Sequence, residues 1–116
     1  MELLSKTDEE ILMVVNPIMD NLMEGSTEVN YEKHARDLTD RLKKIVTKKA
    51  LQRMCSEYQS EWGLFEERVF IALFRRTDSV AVVWKQSCSK TDDEFVAEAV
   101  FVEKNRKYLV DHTMVF

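Results

Sequence analysis

The chain has 116 residues, 45% of them hydrophobic and 33% charged, with a net charge of -4. That length buries one real core, so we read residues 1–116 as a single domain. The composition excludes a disordered chain, the excess of acids argues against nucleic acid as the main partner, and no apolar run reaches membrane-spanning length.

The start, from Met1 to Asp8, has neither the basic end nor the long apolar stretch of a signal peptide. Cys55 and Cys88 are too few and too far apart for a disulfide framework or a zinc site. Both are expected to be reduced thiols in a cytoplasmic protein, with Cys55 in the core.

Thr7 followed by Glu10 forms a capping-box start for a first helix. Ile11, Val14, Val15, Ile18 and Leu22 then recur at helical spacing. Pro17 predicts a kink near Asn16. Gly25 predicts the C-terminal stop, with Ser26 to Val29 as a loop. Asn30 caps a second stretch whose partly apolar face is Tyr31, His34, Ala35, Leu38, Leu42 and Ile45, with a break expected near Leu38 to Asp40. Thr47 caps a third helix carrying the stripe Leu51, Met54, Cys55, Tyr58 and Trp62, and Gly63 ends it.

Charge is uneven along these helices. Residues 1–30 hold seven acids and one base, and residues 31–62 hold eight bases and five acids. The bases Arg41, Lys43, Lys44, Lys48, Lys49 and Arg53 read first as a solvated face and second as an anion or RNA site. No aromatic residue lies among them to stack a nucleotide base.

Four β-strands follow: Phe65 to Arg76, Val80 to Cys88, Glu94 to Glu103 and Lys107 to Phe116. The intervening turns are Thr77-Asp78-Ser79, Ser89 to Asp93, and a tight turn at Asn105. Turns this short force antiparallel neighbours. Side-chain alternation puts Val80, Val82 and Trp84, then Phe95, Ala97, Ala99 and Phe101, then Tyr108, Val110, His112 and Met114 towards the helices. The first strand is apolar on both faces. The opposite sheet face carries Ala81, Val83, Val96, Val100, Val102 and Val115, too apolar for a face left in water. A second copy of the chain is the simplest cover, and a homodimer through the sheet is expected.

Helices first, then a twisted antiparallel meander, resembles the nuclear transport factor 2-like superfamily, and in particular its small stand-alone bacterial members. The residues that carry the likeness are the capped first helix from Thr7 to Glu24, the stretch from Tyr31 to Thr47, the helix ending in Trp62-Gly63 and the four strands closing on Tyr108 to Phe116. A cystatin-like arrangement, with helix packed on a curved meander, is the near alternative. The resemblance implies an α+β cone, in which N-terminal helices pack on a curved four-stranded antiparallel meander and an apolar pocket opens between them. Members use that pocket for isomerase, dehydratase or cyclase chemistry, for small-ligand binding or for plain dimeric scaffolding, and fold alone does not choose.

Candidate pocket residues are Tyr31, His34, Tyr58, Trp62, Trp84, Tyr108 and His112, which also read as ordinary core. His34 and Asp37, one helical turn apart, read as an exposed pair. No catalytic residue is assigned. Asp111 falls on the face away from the pocket, Asp37 and Asp40 lie in the second helical stretch, and no acid pair stands out on the inner face. No metal ligand set, phosphate loop or cofactor motif is present in the sequence. The expected function is a non-catalytic module that binds a small apolar ligand or acts as a scaffold. The alternatives are an isomerase- or dehydratase-type enzyme using His112 and Tyr108, and an adaptor that binds an acidic partner through residues 41–53.

Overall fold

Every helix after the N-terminal turn begins at a capping side chain, as the sequence pattern requires. The computed structural model describes residues Met1–Phe116. After a 3-10 turn (Glu2–Ser5) that buries Leu3, Thr7 Oγ1 accepts from the Glu10 amide at 3.2 Å while the Thr7 amide donates to Glu10 Oε1 at 3.0 Å. This box opens α1 (Asp8–Thr27). Asn30 opens α2 (Tyr31–Ala35), Thr39 opens α3 (Asp40–Ile45) and Thr47 opens α4 (Lys48–Glu61), each accepting from the backbone amide three residues on. No helix is long and apolar enough to cross a membrane.

One expectation for α1, its end at Gly25, needs correction. The helix runs through Pro17 as one element. Pro17 and Met13, the residue whose carbonyl loses its partner, both lie on the exposed face, where water satisfies that carbonyl. Gly25 does not stop the helix, which continues to Thr27. The Asn30 amide donates to the Gly25 carbonyl at 2.8 Å and the Val29 amide to the Ser26 carbonyl at 3.1 Å. These are the two bonds of a Schellman cap, and Val29, at φ 51°, occupies the left-handed position where glycine is usual. Gly25 serves packing instead. A Cβ there would stand 2.6 Å from the His34 nitrogen and 2.7 Å from its Cα, so only glycine lets α2 cross this closely.

The sheet is a four-stranded antiparallel meander in the order β1 (Phe65–Arg75), β2 (Val80–Cys88), β3 (Thr91–Lys104) and β4 (Lys107–Val115). The turn before β3 is three residues shorter at its end than the sequence suggested, because Thr91 already pairs with Cys88. Asn105 and Arg106 both have positive φ, the conformation of a two-residue hairpin that follows strand twist. The fold is therefore α+β, four helices followed by a curved antiparallel sheet, consistent with a nuclear transport factor 2-like cone.

One sheet face takes the helices. Val80, Val82, Trp84, Ala97, Ala99, Phe101 and Val110 are all buried, closed over by Ile11, Val15 and Met19 of α1 and by Leu38. Each large side chain sealed this way contributes roughly 1.5–3 kcal/mol. The segment Asp37–Thr39 lies along β4, with the Thr39 amide 2.9 Å from the Val110 carbonyl and the Val110 amide 2.7 Å from the Asp37 carbonyl.

Of the four register shifts in the sheet, two decide how the disputed residues of β1 and β4 face. In β1, Phe70 opposes Trp84 but Ala72 opposes Val83, so Ile71 is extra. This resolves the ambiguous strand: Phe70 and Leu73 face the helices, while Val69, Ala72 and Phe74 face away. In β4, Val110 opposes Phe101 but His112 opposes Val100, so Asp111 is extra. Beyond it the alternation inverts. Thr113 and Val115 turn inward, and His112 and Met114, expected inside, turn outward. Thr39 Oγ1 donates to Asp111 Oδ1 at 2.8 Å, and the Arg41 guanidinium bonds to both the carboxylate and the carbonyl of Asp111. The bulge is thus tied to α3.

The outer face of the sheet has no cover within the chain. Ala81, Val83, Val96, Val100 and Val102 lie there half-buried, flanked by exposed Val69, Ile71, Phe74 and Met114. Its centre carries a single polar pair, His112 Nε2 and Glu98 Oε2 at 2.6 Å.

Candidate ligand cavity

The stripe on α4 positions the site. Met54, Tyr58 and Trp62 recur every four residues and so project from one side of the helix. Opposite them α1 presents Leu22, Met23 and Ser26, α2 presents His34, β1 contributes Phe65 and β4 contributes Thr113 to Val115. These surfaces line an open cavity of about 520 Å³, within the usual size of a small-molecule site. The bulge at Asp111 matters here, since it turns Thr113 and Val115 into the cavity wall.

One wall is aromatic. Tyr58 stacks on Phe65 with ring centroids 4.7 Å apart and lies 6.0 Å from Trp62, which packs 4.4 Å from Phe95. The Tyr58 hydroxyl is fixed against Ser26 Oγ at 2.7 Å, and Gln59 Nε2 donates to it at 3.2 Å. Burial raises the Tyr58 pKa above its ordinary value, and the bonds from Gln59 and Ser26 only partly offset this, so the phenol stays neutral. Cys55 lies behind the wall, its Sγ 3.3 Å from the Ser26 carbonyl.

His34 is the unusual group. It is 5% exposed, and its Nδ1 is sealed with no hydrogen-bond partner. Burial alone depresses its pKa to about 4, so the ring is neutral at pH 7. The expected exposed pair with Asp37 does not form. Asp37 instead binds Arg36 at 2.8 Å, since α2 ends at Ala35 and the chain at Asp37–Leu38 is drawn alongside β4.

Of the seven candidate pocket residues, the structure brings three together, His34, Tyr58 and Trp62. Trp84 is sealed in the core at 1% exposure, its Nε1 donating to Asn16 Oδ1 at 3.2 Å and the Arg68 guanidinium 5.0 Å over its ring. Tyr31 packs half-buried against the core. Tyr108 borders a separate depression with Arg36, Asp37 and Lys104. His112 is on the outer sheet face, so it does not converge with Tyr108. The residues sequence reasoning missed are Met23, Ser26, Phe65, Thr113 and Val115. Gly25 reads as a stop and so leaves Ser26 outside the helix, and simple alternation, which the bulge interrupts, points Thr113 and Val115 outward. Met54 is legible as a member of the α4 stripe.

Asp111 is spent on structure. Burial works against its ionisation, but the bonds from Thr39 and Arg41 outweigh it and hold the carboxyl below its usual range. Arg41 is the one member of the basic cluster that is paired. Lys43, Lys44, Lys48, Lys49 and Arg53 are exposed, with no carboxylate within 4.0 Å. No group of three or more His, Cys, Asp or Glu side chains is arranged to hold a metal ion. Comparison with known proteins finds no matching family model and no similar curated protein.

Proposed function

We propose that this domain is a non-catalytic module of the nuclear transport factor 2-like type that binds a small apolar molecule between α1, α4 and the end of β4. The observation that carries this is the cavity itself, about 520 Å³, walled mainly by apolar and aromatic side chains, with the Tyr58 and Ser26 hydroxyls fixed against each other. The state of His34 supports binding over catalysis. A general base works best with a pKa near the operating pH. His34, at about 4 and with no carboxylate to orient its ring, is a poor one.

The probe we choose is 2-naphthylmethanol, a neutral flat molecule of fitting size. At roughly 0.4 kcal/mol per heavy atom its Kd is on the order of 0.1 mM. Calorimetry on the wild type and on Thr113→Trp, which places an indole in the cavity, tests the reading. Binding that the substitution abolishes, in a variant with wild-type folding by circular dichroism, is the expected result. No binding to the wild type, or binding that survives the substitution, overturns it.

The same reading includes a homodimer through the outer sheet face, in a reducing compartment such as the cytoplasm where Cys55 and Cys88 stay free. Four strands of about nine residues present a footprint on the order of 600 Å² in projection, close to the roughly 800 Å² each partner gives a standard interface. The unpaired bases of α3 and α4 favour one second reading, an adaptor for an acidic protein. It requires that polyglutamate bind at low salt and be released at about 0.3 M.

A further inference from the structure

Resting on the cavity assigned above, we infer that its ligand is an apolar molecule carrying one cationic amine or ammonium group. Among the residues that border the cavity, the only charged side chains are Glu57 and Glu61, and both are acids. They stand one helical turn apart on α4, at i and i+4, alternating with Tyr58 and Trp62 on the same side of the helix. Like charges at this spacing repel unless something answers them. Nothing in the chain does. Neither carboxylate has a basic partner within 4.0 Å, whereas all eight ion pairs in the molecule use other acids, including Glu24 of α1 and Glu28 at its C-cap.

The other polar groups of the cavity leave the same preference. His34 is held neutral and the Tyr58 phenol keeps its proton. No lysine, arginine or protonated histidine lines the wall, so a carboxylate or phosphate ligand would meet two acids and no base. A cation would meet the two exposed carboxylates and the aromatic rings of Tyr58, Trp62 and Phe65, the combination that recognises ammonium groups. The Met23 and Met54 thioethers supply a deformable apolar remainder of the wall.

Three isosteric probes separate the inference from the reading beneath it. They are 2-naphthylmethylamine, protonated at pH 7, 2-naphthylmethanol, neutral, and 2-naphthoate, anionic. Their affinities are measured by calorimetry at low salt. The amine is expected to bind about tenfold tighter than the alcohol, from two partly exposed carboxylates and a ring contact, with the naphthoate weakest. The ratio of amine to alcohol affinity is expected to fall towards one in the Glu57→Gln/Glu61→Gln variant and at high salt. It is expected to stay at the wild-type value in Glu103→Gln, at the far end of β3. Equal binding of amine and alcohol, or a preference for naphthoate, overturns the cationic ligand and leaves the apolar cavity standing. Failure of all three probes overturns both.

Discussion

Replacing Gly25 by alanine sets two effects of opposite sign against each other. In a helix exposed to water the change is favourable by about 1 kcal/mol, since alanine restricts the unfolded chain and glycine does not. Here the new Cβ would stand 2.6 Å from the His34 nitrogen and 2.7 Å from its Cα. Ordinary contact lies near 3.5–4 Å, so α1 and α2 must separate by about 1 Å. The obstructing atoms are backbone and cannot rotate away. Overpacking of this kind costs roughly 1–3 kcal/mol, and a rigid backbone contact sits at the upper end. The net expectation is a loss of about 2 kcal/mol. Urea unfolding measures it directly: with a slope of about 1.5 kcal/mol/M the midpoint falls by more than about 1 M at unchanged slope. Because His34 moves with α2, affinity for the cavity probe should fall as well. A midpoint equal to or above that of the wild type would refute the close crossing of these helices.

Three other outcomes follow from single features. Val29→Gly removes a β-branched side chain from a left-handed backbone position at φ 51° and should stabilise the domain by about 0.5–1 kcal/mol in the same urea assay. His34 has a folded pKa of about 4 against an ordinary 6.5. The unfolded chain therefore takes up a proton first as pH falls, and stability that is complete above about 6.5 is lost towards pH 4, by about 3 kcal/mol. Urea midpoints between pH 7.5 and 4.5 should show this decline, and His34→Gln should flatten it, since Glu10 and Asp111, both lowered from 4.5 and 3.8, titrate below that window. Val100→Glu places a charge at the centre of the outer sheet face and should convert a sedimenting dimer to monomer, while Glu103→Gln should not.

Strand and helix existence was legible because each element carries its own signal. The caps at Thr7, Asn30 and Thr47 and the apolar alternation of β2 and β3 mark where elements begin and which way they face. What the sequence hid were events that depend on distant chain. Gly25 looks like a stop, and only the passage of α2 over it shows that it is a crossing point. The bulge at Asp111 has no local signature. It is held by Thr39 and Arg41, some seventy residues away in sequence, and it alone decides that His112 points outward and Thr113 inward. The candidate site was half legible for the same reason. His34, Tyr58 and Trp62 lie on helices whose spacing can be read, whereas the β4 wall depends on the inverted alternation.

The most direct test of the cavity is where the neutral probe binds. Titrating 2-naphthylmethanol into isotopically labelled protein and following amide chemical shifts maps the contact residue by residue. The account requires the largest changes at Leu22 to Ser26, His34, Met54 to Trp62 and Thr113 to Val115. Changes centred on Val83 and Val100, on the depression beside Tyr108, or nowhere would contradict it.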